Sequence, residues 1–263
     1  MALAGESDSL WVTLIDRWIY VFMAALFIAT TLAGFIPDSL DKIAAVEAGQ
    51  RPPFPPVLHV HAVLMGSWLM LLLAQTTLMA TGNANHHKKL GLASFVLAPA
   101  IILTGIILVP TIYGQVWDAV QTAPPDMVDA ARGGLAIRTD VMLLQMRAGL
   151  LFALFVFLAV RARRTDSGFH KRMIILATLV PLPAAINRIA WLPATMPESP
   201  LMLDILTLIL ISPMFFWDLF RLGRVHRAYI VWFALWLPAV VAVHLLWGSD
   251  WWQATAPRLL GYP

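Results

Sequence analysis

Ionisable and polar side chains recur inside long apolar stretches of this chain, and these are the residues equipped for chemistry. His61, Trp68 and Gln75 follow one another at intervals of seven. On a helix that interval aligns them on one stripe, with Met65 and Leu72 between them and His59 turned to another face. Asp140 and Arg147 share the same interval farther along, beside Gln145, and Asn187, Arg188, Asp204 and His244 follow in later apolar stretches. A charge at the centre of a membrane helix costs about 2.5–3.5 kcal/mol on the insertion scale, so each one needs a counter-charge, water or a ligand. The expected arrangement is one polar pocket in the outer half of a bilayer. His61, Arg147, Arg188 and Asp204 would form it, with Trp68 and Gln75 on the His61 stripe and His59, Asp140, Asn187 and His244 at its rim. Two arginines with few local carboxylates favour an anionic group such as a propionate, a carboxylate or a lipid phosphate. The structural alternative is a packing stripe with one hydrogen-bonded histidine, plus buried ion pairs such as Asp204 with Arg188.

A second group gathers at the opposite ends of the same stretches: His86 and His87, His170, Asp218 and His226. Gly91, Ser94, Ala98 and Gly105 continue from His87 along one face, leaving room for close helix approach or a flat cofactor. His170 and Arg188 lie about five turns apart on one face, and Pro181 and Pro183 between them are expected to bend that helix. Imidazoles from two facing helices are the usual way a bundle ligates haem iron or another metal. His87 and His170 are therefore the expected cofactor ligands, with Arg147 and Arg188 holding acidic groups of the cofactor. His61, His87, His170, Asp218 and His226 are the expected ligands if the cofactor is a transition metal. Taken one at a time, histidines beside lysines read equally as hydrated interfacial residues. No HExxH or paired HxxxH pattern accompanies them.

The elements that must position these residues are membrane spans. Of 263 residues, 60% are hydrophobic and 13% charged, against about a quarter charged in a soluble domain. A bilayer core of about 30 Å takes about 20 apolar residues as a helix. Seven stretches qualify: Trp18–Ile36, Val57–Ala80, Leu92–Tyr113, Asp140–Val160, Met173–Pro193, Leu201–Leu219 and Ala228–Trp247. The fourth and fifth each carry an arginine, so six spans is the alternative count. Basic residues cluster in the second, fourth and sixth connections, which the positive-inside rule assigns to the cytoplasm; the N-terminus is then inside and the C-terminus outside. The expected fold is all-α, one transmembrane helical bundle over residues 1–263. The polar start MALAGESDSL lacks a basic signal-peptide n-region, so the first apolar stretch reads as a retained helix. The first and third connections are expected to hold short amphipathic segments, and Trp247, Trp251 and Trp252 to sit in an interfacial aromatic belt.

Several chemistries are excluded. There is no cysteine, hence no disulfide, thiolate zinc site or iron–sulfur cluster. Lys42, Lys88, Lys89 and Lys171 all lie in connections or at helix ends, which rules out a retinal Schiff base in the seventh span. No GxxxxGK[ST] loop or GxSxG elbow is present. The net charge of +3 is distributed between apolar runs, a membrane-topology pattern and not a nucleic-acid footprint.

The stretches HVHAVLMGSWLMLLLAQTTLMATGNANHHKKLG, FHKRMIILATLVPLPAAINRI and DLFRLGRVHRA together resemble a widespread family of uncharacterised bacterial seven-helix membrane proteins. The similarity runs from about Gly34 to Trp232. It implies the seven-helix fold and a bacterial inner-membrane location, and it assigns no reaction. A looser similarity is to b-type cytochromes of the transmembrane ascorbate- and ferric-reductase kind. In its terms His87 and His170 match one haem's axial pair and His61 matches one ligand of a second haem. At the position of that haem's other ligand this chain has Gln145, Met146 and Arg147.

Three functions follow as expectations. One is a redox protein holding haem b or a metal, with a quinone or lipid at the outer arginines. Another is a non-enzymatic accessory or scaffold subunit of a membrane complex, or a small-molecule carrier. The third is a metal-dependent membrane enzyme acting on lipid through His61, Asp204 and Arg188.

Overall fold

The computed structural model describes residues 3–263, with side chains from Leu10 onward; Met1 and Ala2 of the polar N-terminal stretch lie outside the described residues. Seven helical stretches are long and apolar enough to cross a bilayer, so the seven-span reading holds and the six-span alternative falls.

Helix α1 (Leu3–Glu47) continues through Pro37 and past the apolar layer. The backbone turns at Gly49, with φ 68°, and Pro55–Pro56 start α2 (Pro56–Ala80), where a missing N–H costs nothing. Helix α3 (Ala84–Leu90), a 3₁₀ turn at Gly91–Ala93 and α4 (Ser94–Gln121) form the third crossing. Helix α5 (Val128–Ala162) is the fourth. In the first and third connections no separate short helix forms; the flanking helices α1, α4 and α5 extend into them. The fifth crossing is broken, as its prolines require. Helix α6 (Ser167–Leu179), capped by Asp166 accepting the Phe169 N–H at 2.8 Å, gives way to tight turns, then to α7 (Pro183–Ile186). Helix α8 (Leu201–Leu222) stops at Gly223, whose φ of 62° closes the C-terminus. Helices α9 (Arg227–Leu246) and α10 (Asp250–Leu259) complete the chain.

The fifth crossing is the most enclosed. Met173, Ile175, Leu176, Ala177 and Leu179 of α6 are fully buried, packed by α5 and α9 with α1 and α8 behind. Phe155, Met214 and Trp232 complete that centre. Around it, Leu103, Ile106, Leu150, Phe157, Phe220 and Leu245 are exposed, which only a hydrocarbon solvent makes favourable. Gly34 lets α1 meet α7 directly, because a Cβ there would collide with the Ala185 carbonyl. Of the C-terminal tryptophans expected at an interface, one is withdrawn into the bundle. Trp252 is buried and donates to the Thr139 carbonyl at 2.8 Å, Trp247 donates to the Pro197 carbonyl at 3.0 Å, and Trp251 is exposed. The tail folds back as α10 against α5, which removes Trp252 from the interface.

Candidate functional site

Two carboxylates on α8, fourteen residues apart, organise the buried polar groups. That spacing corresponds to about 21 Å along the helix and returns to nearly the same face. At the end carrying the basic connections, Asp218 accepts the Arg172 Nε–H at 2.7 Å, and a second guanidinium nitrogen of Arg172 on its other oxygen. The Tyr229 hydroxyl donates to the same carboxylate at 2.5 Å. Arg172 also donates from Nη1 to the Gly168 carbonyl at 3.0 Å. The clasp thereby joins α6, α8 and α9. Its rim is charged too: Lys171 stacks over Tyr20 at 4.7 Å, and Asp16 of α1 holds Arg221 at 2.8 Å.

Toward the other end, Asp204 forms the second clasp. Arg147 of α5 lies 2.8 Å from one oxygen, and His244 Nε2 of α9 lies 3.0 Å from the other. The arginine and aspartate side chains are 4% and 6% exposed, so they are shielded from water as well as lipid. Arg147 Nη1 and Asp204 Oδ1 are both buried without a hydrogen-bond partner, so this pair is a close ion pair and not a hydrogen-bonded fork. Both clasps have one design: an α8 carboxylate, an arginine from α5 or α6, and a polar ring from α9. A bidentate or nearly enclosed pair of this type repays its desolvation only while both partners are present.

Part of the expected outer group comes together, Arg147 with Asp204 and His244, while Arg188 and His61 engage other residues. Arg188 pairs with Asp38 of α1 at 3.0 Å, not with Asp204. His61 shares a hydrogen bond with Thr104 of α4 at 2.9 Å, beside Gly105. Trp68 donates to Thr178 of α6 at 3.0 Å, and Gln75 points its amide nitrogen toward Gly91, its oxygen buried and unpartnered. The heptad stripe is thus a run of contacts from α2 to its neighbours. His59 is exposed with its ring edge against Phe54, and Asn187 is exposed after α7. Asp140 accepts from the Gly248 N–H at 3.0 Å and from Gln253 at 2.8 Å, anchoring the tail. Among the described residues no hydrogen bond or ion pair joins His61 to Arg147, Arg188 or Asp204.

The expected metal ligands are also separated. Among the described residues no three His, Asp or Glu side chains gather as a metal site. Asp218 is held by Arg172 and Tyr229, and His61 sits with Thr104 on the far side of the bundle. His226 uses Nδ1 to accept the Ala228 N–H at 3.1 Å, capping α9. Burial holds its ring below the usual imidazole range, and the nearby Arg172 charge pushes the same way. His86 is exposed. Within this set, His87 approaches His170 and Asp218 approaches His226, each pair close enough to interact electrostatically. His170 Nδ1 lies 2.8 Å from the Ala159 carbonyl, which leaves Nε2 as its available nitrogen, and His87 Nδ1 is buried without a partner.

Sequence reasoning missed Arg172, Tyr229 and Asp38 as partners. Arg172 reads as one more cation of a basic connection, and a tyrosine in an apolar run gives no charge signal. A count of intramembrane carboxylates against arginines is the signal that finds the clasps. Comparison with known proteins returns no match to a family model, to a curated protein or to a solved structure. The chemistry of this chain therefore has to be argued from its own side chains.

Proposed function

We propose that this chain is a non-enzymatic subunit of a bacterial inner-membrane complex, acting as an accessory or scaffold component. The single observation that carries this reading is the pair of α8 clasps. The deeply buried arginines and aspartates answer one another, Arg172 with Asp218 and Arg147 with Asp204. Charges arranged to bind a substrate are left facing a cavity; here they cross-link helices and fix one packing arrangement. The exposed apolar faces of α4 and α9 are then available to hydrocarbon or to neighbouring transmembrane helices. Affinity purification from native membranes followed by native mass spectrometry tests this. A partner at fixed stoichiometry is expected; a chain that purifies alone, with or without a bound chromophore, overturns it.

One observation favours a second reading, a haem b protein. The His87 and His170 rings are of the kind that would hold a haem iron: one has its Nδ1 held by a carbonyl, the usual support for a ligating imidazole, and the other has a buried nitrogen without a partner. A haem bound there would supply one-electron chemistry. The chain would supply the two imidazoles and the Ala159 carbonyl that orients one of them. After haem-supplemented expression, a Soret band that disappears in His170→Ala supports this second reading, and its absence in the parent protein ends it. The lipid-enzyme reading is not carried forward, since His61, Asp204 and Arg188 each engage a different partner.

A further inference from the structure

At the end of the bundle remote from the basic connections, two arginines lack the counter-charge that the clasps provide. Arg51, in the link between α1 and α2, and Arg138 of α5 line a cleft of about 340 Å³ together with Ile112, Gln115, Val116 and Ala131. The other side chains around it are small or aliphatic, and no carboxylate is among its described lining residues. The two guanidiniums are close enough to repel, and Arg188 adds to the same positive field. Arg188 cannot be discharged into the cleft's account, because it shares Asp38 with Lys42. The Arg51 guanidinium lies 4.7 Å over the Phe54 ring, and its Nε is buried with no hydrogen-bond partner. No hydrogen bond or ion pair engages Arg138 among the described residues.

Like charges held together in a partly desolvated, apolar-walled cleft are unfavourable unless an anion joins them. Guanidinium forks match a phosphate bidentately, and a phosphate has enough oxygens to accept from two of them at once. Depth selects the source. Along α4 the apolar run ends here in Tyr113, Gln115, Trp117 and Asp118, the composition of a membrane–water interface. We propose that this cleft binds the phosphate headgroup of an anionic phospholipid, with Arg51 and Arg138 as its donors. The aliphatic walls cover the glycerol and upper chain, which a free phosphate would leave in contact with nothing.

The test uses delipidated full-length protein in a neutral detergent, titrated with dioleoylphosphatidylglycerol, dioleoylphosphatidylcholine or inorganic phosphate while thermal unfolding is followed. Phosphatidylglycerol is expected to raise Tm saturably and phosphatidylcholine far less. Removing either arginine, as R51Q or R138Q, is expected to weaken the half-saturating phosphatidylglycerol concentration about tenfold. R51K/R138K, which keeps charge without the fork, falls between. Neither side chain has a protein hydrogen bond to lose, and removing one relieves the mutual repulsion, so Tm without lipid is expected not to fall in R138Q, and in R51Q to lose at most the contact with Phe54. Equal stabilisation by both lipids, or a phosphatidylglycerol response unchanged in R51Q/R138Q, overturns the proposal. Stabilisation by inorganic phosphate at the same concentrations overturns the lipid assignment.

Discussion

Neutralising Asp218 is the sharpest perturbation of the basic-end clasp. Asp218→Asn keeps the shape but removes the charge that Arg172 meets through two nitrogens. The guanidinium side chain is 8% exposed, so water cannot replace the lost partner. Breaking a buried pair from one side costs about 3–5 kcal/mol. Replacing both partners with apolar groups of similar volume is instead neutral or stabilising by about 1–4 kcal/mol. Here one correction applies: in Arg172→Met/Asp218→Leu the Tyr229 hydroxyl, now donating at 2.5 Å, loses its acceptor, at a cost of about 1–3 kcal/mol. Adding Tyr229→Phe removes that penalty. The expected order of stability is D218N well below the double variant, and the double variant below the triple. Equilibrium unfolding by sodium dodecyl sulfate in mixed micelles, followed by far-UV circular dichroism, measures the series. A D218N protein within about 1 kcal/mol of the parent, or a triple variant as damaged as D218N, refutes the clasp argument. If the triple variant folds and still assembles with its partner, the charges are structural and the scaffold reading gains.

Other perturbations give distinct readouts. Arg147→Met strands Asp204 and is expected to cost about 3–5 kcal/mol, whereas His244→Gln, at a ring 29% exposed, costs about 1 kcal/mol; similar losses for both would refute the ranking. His226 caps α9 only as the neutral ring, and its folded-state proton affinity is depressed by burial and by Arg172. The unfolded chain then binds the proton more readily, so this contribution is full above the ordinary imidazole pKa and is lost as pH falls below it. Tm measured between pH 7.5 and 5 should fall more steeply in the parent than in His226→Asn, which retains a capping oxygen worth about 1 kcal/mol; parallel slopes count against it. Gly34→Val should destabilise by at least about 1–3 kcal/mol, because even a Cβ meets the Ala185 backbone; a neutral effect would show that α1 and α7 do not touch.

The crossings were legible because a hydrocarbon layer filters composition so strongly that seven apolar runs can mean little else. Pro181 and Pro183 likewise announced the break between α6 and α7. Helix ends were not legible: nothing stops α1 at Pro37 or α4 at Tyr113, so both continue beyond the bilayer. For the polar interior, sequence gives depth and helical face but not which helix stands opposite. Arg147, Arg188 and Asp204 were recognised as residues needing partners, yet the pairs are Arg147 with Asp204 and Arg188 with Asp38. Arg188 reaches a residue 150 positions away on α1, and no local pattern encodes that. His87 with His170, and Arg147 with Asp204 and His244, are juxtapositions that the sequence grouping and the structure share.

The order of the clasp residues along the polypeptide has a consequence for biogenesis. Arg147 and Arg172 precede Asp204, the earlier of the two acids, by 57 and 32 residues, so a ribosome makes both cations before either acid exists. Until the α8–α9 hairpin is released, α5 and α6 hold unanswered positive charge, which favours retention beside the insertion machinery over escape into lipid. The hairpin arrives with its own hydroxyl and imidazole beside each acid, then locks the earlier helices in place. A chain halted after α7 should accordingly be unable to settle in the membrane and become a target for proteolysis.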